Sequence, residues 1–294
     1  MKTEARLILT RALILVALVA LCAGCGAAVP TGRFDVLAAA SKDVEIKTRE
    51  TDADIVKLTR RFMVFTPALK EYKLNSFEPT IEGQSFAFGP RLEPRHAALD
   101  VLASYTEALA AFARKDYQGD LDQATQSLGG SVERLAGHAA ASADAKKGAG
   151  ILATAVNGLG RAVIEHKRRV ALREAMDAAT PGIASIVNFV KDINGLAVLA
   201  VAEMRNQMLR KANRLTVADG VARLQLNEAV EGVIVESGGI LAQLKQASAA
   251  VEAIGPAHAE IRNSLDRDER TQLDKLRAFV AEVKRLQGVY SSFK

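Results

Sequence analysis

Histidine and cysteine are scarce in this chain, four and two copies, so the neighbours of each decide what chemistry is open to it. The first candidate is Glu93-Pro94-Arg95-His96. A Glu-x-x-His on a helix sets a carboxylate and an imidazole on one face, and helical di-iron bundles use two such motifs with two further glutamates. Only one occurs here, and its Glu93 precedes a proline, at a helix start where a carboxylate favours the positive dipole end. A solvated helix start is expected, with no metal. His138, His166 and His258 make no His-x-x-x-His pair and flank no serine in a nucleophile turn. No Gly-x-Ser-x-Gly, phosphate loop or His-Glu-x-x-His is present. Gly158-x-Gly160 and Gly148-Ala149-Gly150 fall in a helical pattern with no strand before them, so they permit close helix approach and do not form a dinucleotide fingerprint. No catalytic residue, metal or cofactor is expected.

Other residue groups could bind without reacting. Lys167, Arg168 and Arg169 follow His166, with Arg173 one turn on, a run that could touch anionic lipid or lipopolysaccharide phosphates. The plainer reading is a solvated face. Phe77, Phe86 and Phe88 lie in the stretch 73–93, with Pro79, Gly83, Gly89 and Pro90, which reads as a long irregular connection with a small hairpin. Exposed, those rings form a partner-binding or membrane-touching patch; folded under the end of a bundle, they plug its core. Both readings stay open. The apolar segments 148–164 and 182–202 raise a membrane-active hairpin, but a turn at 180–181 would put them at opposite ends of it, and Lys191-Asp192 interrupts the second. Buried faces of central helices are expected.

The chain opens with Lys2, Arg6 and Arg11 around an apolar run from Ala12 to Leu21, the pattern of an export signal and too short to span a bilayer comfortably. The following Leu21-Cys22-Ala23-Gly24-Cys25-Gly26 resembles the lipobox of bacterial lipoproteins. That class cleaves after a small residue and acylates the next cysteine, which implies Cys25 as a lipidated N-terminus held in a membrane. Gly26, where an aspartate would retain the protein at the inner membrane, implies the periplasmic face of the outer membrane. Cys22 stands where the class usually has leucine. Past Cys25 no cysteine remains, so an exported domain here has no intramolecular disulfide and must be stable through its apolar core.

The elements that would position these groups are helices. The chain lacks tryptophan and carries 52 alanines, which points away from a β-sandwich and toward closely packed helices. Residues 1–24 are read as signal peptide, 25–33 as lipidated cysteine and tether, and 34–294 as one helical bundle. Ile55, Leu58, Phe62, Phe65, Leu69 and Tyr72 step by three and four along one face. Thr51 with Asp54 resembles a capping box, although a helix from Phe34 could run straight in. Pro67 is expected to bend or end that helix. Pro94 opens a long helix, or two in tandem with a weakness at Gly129-Gly130, and another helix covers 143–179. Thr180-Pro181 and Gly255-Pro256 read as breaks, and Thr216 with Asp219 as a start. Leu276, Phe279, Val283, Leu286, Tyr290 and Phe293 form the clearest seam. The expected fold is all-α: an elongated up-and-down antiparallel bundle of five or six long helices with one irregular loop.

Charge excludes little. The leader holds two of the five net positive charges, which leaves the body too weakly basic to suggest nucleic acid. The functional expectation is a membrane-anchored envelope lipoprotein with a non-catalytic bundle for binding an envelope protein partner or for scaffolding. The alternatives are a small-ligand-binding bundle and a membrane-active, pore-former-like one.

Overall fold

A computed structural model describes residues 29–65, 80–81, 84–85, 89–114, 117–159, 165–214, 219–266 and 273–292. Among them are seven helices: α1 (Thr31–Phe65), α2 (Gly89–Ala113), α3 (Tyr117–Gly137), α4 (Ala143–Leu159), α5 (Glu165–Asn213), α6 (Gly220–Ser264) and α7 (Asp274–Ser292). A two-residue antiparallel pair, β1 (Thr80–Ile81) and β2 (Gln84–Ser85), pairs Thr80 with Ser85 and Ile81 with Gln84. The fold is an all-α helical bundle. Cys25 and the leader, Phe77, Phe86, Phe88 and the side chain of Lys167 lie outside the described residues.

Side-chain pairs fix the directions. Arg114 with Asp35 and Arg49 with Asp100 run α1 against α2. Arg134 with Asp100 does the same for α2 and α3, and Asp177 with Arg262 for α5 and α6. Asp43 meets Gln287 and Lys47 lies over the Tyr290 ring, so α7 runs parallel to α1. The start of α1 therefore lies at one end of the bundle, with the end of α6 and the starts of α5 and α7. This is the near end. The far end is the α5–α6 hairpin, and α5, with 49 residues, is about 73 Å long.

Local signals explain several termini. Ser142 Oγ accepts from the Ala145 amide at 3.1 Å and caps α4 at the expected place. Asp219 is itself the N-cap of α6, accepting from the Val221 amide at 3.1 Å, so that helix begins at Gly220. The first turn of α7 receives an acceptor from another helix: the Leu276 amide donates to Glu260 Oε2 at 2.8 Å. Its seam, Leu276, Phe279, Val283, Leu286 and Tyr290, is buried as expected, each side chain contributing about 1.5–3 kcal/mol of burial.

Two expected breaks do not occur. Pro181 lies inside α5 and Pro256 inside α6. Both rings face solvent, where water can take the carbonyls that lose a helical partner, and Thr180 Oγ1 bonds the Met176 carbonyl at 3.0 Å. An interior proline costs about 3 kcal/mol in isolation. Met176, Ala179, Ile183 and Ile186, buried on both sides of Pro181, outweigh that. The breaks fall instead between α3 and α4 and between α4 and α5. Thr51 starts nothing: it is interior to α1, bonding the Lys47 carbonyl at 2.9 Å. Gly129-Gly130 is likewise interior to α3.

With α4 ending at Leu159 and α5 running on through 180–181, each apolar segment has a different partner from the one expected. Gly148 of α4 now meets Gly182 of α5, with almost no space between the backbones: a Cβ built on Gly182 would lie 2.7 Å from the Gly148 carbonyl oxygen. The helix α5 is long and apolar enough to cross a membrane by length and composition, yet its stripe from Leu172 through Val190 to Met208 is buried in the bundle.

Candidate functional site: a buried polar layer and the surfaces around it

The apolar core is not continuous. One cluster fills the near part, from Phe34, Leu37 and Val44 through α2, α3 and α4 to Ile193, Ile261 and Phe279. A smaller one fills the far part: Ile55, Leu58, Phe62, Val201, Met204, Met208, Val233, Ile240 and Leu244. Between them α1 presents Thr48, Thr51 and Asp52, all buried, at the point where its seam would otherwise carry leucine or valine.

Asp52 is the hub. Its carboxylate forms an ion pair with the Arg95 guanidinium through one oxygen and, on the other, accepts from His96 Nε2. A carboxylate can only accept, so this ring nitrogen carries the proton. Arg95, with 0% of its surface exposed, also donates to Asn194 Oδ1, and Asn194 Nδ2 donates to Ser248 Oγ at 3.0 Å. Four helices are thereby tied across one layer. Burial pushes the Arg95 guanidinium down to about 9, so it stays charged at neutral pH and needs Asp52. Burial, and then the Arg49 and Arg95 charges, push His96 down to about 4. The Glu93-x-x-His96 motif is thus divided: Glu93 is exposed, and the carboxylate that His96 meets belongs to α1. No group of three His, Cys, Asp or Glu fit to hold a metal occurs among the described residues.

A second buried polar pair lies in the near core, where Tyr105 Oη and His258 Nε2 share a hydrogen bond of 2.8 Å that joins α2 to α6. Burial pushes His258 down to about 4 and the tyrosine well up, so both are neutral. The unfolded chain takes up the His258 proton near 6.5, the folded one near 4. Stability therefore falls as pH drops through that window, by about 2–3 kcal/mol at pH 4.5, and His96 adds loss of the same sign. His258→Gln keeps a hydrogen-bonding partner for Tyr105 and cannot titrate. Urea denaturation at pH 7.5 and 4.5 should show a smaller acid loss in that variant than in the native chain, and equal losses would refute the assignment.

Arg168, Arg169 and Arg173 of the basic run are engaged within the fold. Arg168 is buried, Arg169 Nε donates to the Leu265 carbonyl just past the end of α6, and Arg173 pairs with Asp266 at 3.1 Å. With the bidentate Arg262–Asp177 contact at 2.5 and 2.7 Å, these groups lock the start of α5 to the end of α6. What they visibly build is a helix joint.

Three of the surface grooves lie among the described residues. One of about 570 Å³ runs between α4 and α5, with Gly150, Ile151, Gly158 and Ala175 flanked by Lys147 and Glu174. A polar cleft of about 380 Å³ holds Lys42, Glu45, Arg49, Asp100 and Arg134, already paired with one another, with Arg49 donating to Glu45 and Asp100, each at 2.6 Å. The third, about 560 Å³, lies between α1 and α7 at the near end and includes Arg33, Arg277 and Lys284. Sequence reasoning missed this one because its cations are separated by most of the chain, and only the parallel pairing of α1 with α7 collects them.

These features define a class and nothing narrower: an all-α bundle with a polar layer across its core. No protein-family model, curated protein or solved structure matches the chain.

Proposed function

We propose that the chain is a membrane-anchored envelope lipoprotein whose bundle is a non-catalytic element for binding an envelope protein partner or scaffolding it. A lipid on Cys25 would hold the near end, since Cys25 lies six residues before the start of α1. The far end would meet the partner. The observation that carries this reading is the exposed apolar surface there: at the start of α6 Val221 is 63% exposed and Leu224, one turn on, 59%. A monomer seldom leaves such side chains grouped in water without use.

Replacing Cys25 with serine is expected to abolish palmitate incorporation and leave the leader uncleaved. Metabolic labelling with mass measurement of the N-terminus checks this, and a native chain that takes up no label would overturn the anchor. A photo-crosslinking residue at Leu224 is expected to yield one discrete adduct in intact envelopes, lost on Val221→Asp. No adduct at the far end, with adducts from near-end positions, would defeat the partner surface. The apolar length of α5 favours a membrane-active alternative. Vesicle leakage by purified protein would support it, and intact vesicles would count against it.

A further inference from the structure

We propose that the start of α6 docks an amphipathic helix of the envelope partner, one that carries two lysines or arginines in the middle of its apolar seam; this rests on the partner-binding reading above. From Gly220 to Gly232 no residue of α6 is buried, and the first that is buried is Val233. Helices in proteins draw most of their stability from packing an amphipathic face, and this length of α6 packs none fully within the chain. Ala222, Leu226 and Val230, half-buried, continue the line of Val233, Ser237 and Ile240 toward the bundle. A second, separate face repeats by three and four: Val221, Leu224, Glu228, Glu231 and Val235, all exposed, with exposed Ile234 beside the last. That is the a/d spacing of a helix–helix seam, apolar at both ends and acidic at its centre.

Charge decides the occupant. Neither Glu228 nor Glu231 has an ion-pair partner among the described residues, whereas Glu236, further along α6, is taken by Arg61 at 2.8 Å. Covering two unpaired carboxylates is costly, and opposed ammonium or guanidinium groups offset that cost and fix the register of the two helices. A second copy of the chain does not supply them. Parallel pairing sets Glu228 against Glu228, and antiparallel pairing about the centre of the seam sets it against Glu231, like charges in both cases. An anionic bilayer repels the same two groups. The other surfaces say less about an occupant: the α4–α5 groove is flanked by one charge of each sign, Lys147 and Glu174, and the polar cleft pairs its own charges through Arg49, Asp100 and Arg134.

The test uses the full chain in phosphatidylcholine nanodiscs and two fluorescent helical peptides. Both carry leucine at the outer seam positions, with two lysines at the centre of the seam in one and two glutamates in the other. Fluorescence anisotropy is expected to show the lysine peptide binding the native chain about tenfold more tightly than the glutamate peptide. The order should reverse on the double variant Glu228→Lys with Glu231→Lys, and Leu224→Asp should weaken both complexes. Equal binding of the two peptides, or no reversal in the double variant, would overturn the charge-paired seam. Dimerisation of the native chain that Leu224→Asp abolishes would give the face to a second copy. Binding to phosphatidylglycerol vesicles that Leu224→Asp abolishes would give it to a membrane, and either result overturns the proposal. In envelopes, a Leu224 crosslink that keeps its full yield in the double variant would overturn it too, while leaving the partner surface standing. Absence of any Leu224 adduct would defeat that surface, and the proposal with it.

Discussion

Replacing Arg95 with methionine is expected to cost about 3–5 kcal/mol of stability, because Asp52 would be left charged inside the bundle with only His96 as a partner. Asp52→Leu should cost a similar amount, since it leaves the buried guanidinium with Asn194 alone. The double variant, Asp52→Leu with Arg95→Met, should recover most of the loss. Two well-packed apolar side chains then join the near and far cores, with no uncompensated charge. Urea denaturation followed by circular dichroism, arranged as a double-mutant cycle, measures this directly. Single variants that each cost under about 1 kcal/mol would mean that the pair is solvated and the layer does not exist as described. The contrast carries meaning beyond stability. If the double variant folds as well as the native chain yet loses its Leu224 crosslink, the layer serves to set the register of the far end.

Gly182→Ala is expected to destabilise the protein by about 1–3 kcal/mol, although alanine is the better helix former by about 1 kcal/mol. The added methyl would sit 2.7 Å from the Gly148 carbonyl oxygen and 3.1 Å from Leu152 Cδ2. The first is a backbone atom of a packed helix and cannot swing aside. Gly148→Ala should behave alike, since its Cβ would lie 2.9 Å from both the Gly182 carbonyl oxygen and Ser185 Cβ. Gly150→Ala reverses the sign. Nothing lies within 4 Å of its Cβ position, so the helix-propensity gain of about 0.5–1 kcal/mol stands alone. Thermal unfolding of the three variants side by side tests the contact, and stabilisation by all three would show that α4 and α5 do not approach so closely.

Much of the architecture is legible from residue types alone. The spacing of Leu276, Phe279, Val283, Leu286 and Tyr290 places a buried seam on the last helix, and Ser142 and Asp219 carry their caps by local chemistry. The lipobox reading of Ala23-Gly24-Cys25 likewise rests on sequence only. The polar layer was not legible. Asp52, Arg95 and Asn194 are separated by long stretches of chain, and nothing in their neighbours marks Arg95 as an arginine with no exposed surface.

What the sequence determined by itself is the set of apolar stripes, and so the helical class, because a period near 3.6 leaves one face that must be buried. The tertiary structure decided where helices end and which distant groups meet. Proline and glycine signals at 180–181 and 255–256 state backbone preferences of about 1–3 kcal/mol. Each was overridden where apolar side chains on both sides of it entered one core, since a few such burials exceed that preference. Pairing across the bundle, Asp52 with Arg95 or Asp43 with Gln287, follows only after α1 has found α2 and α7.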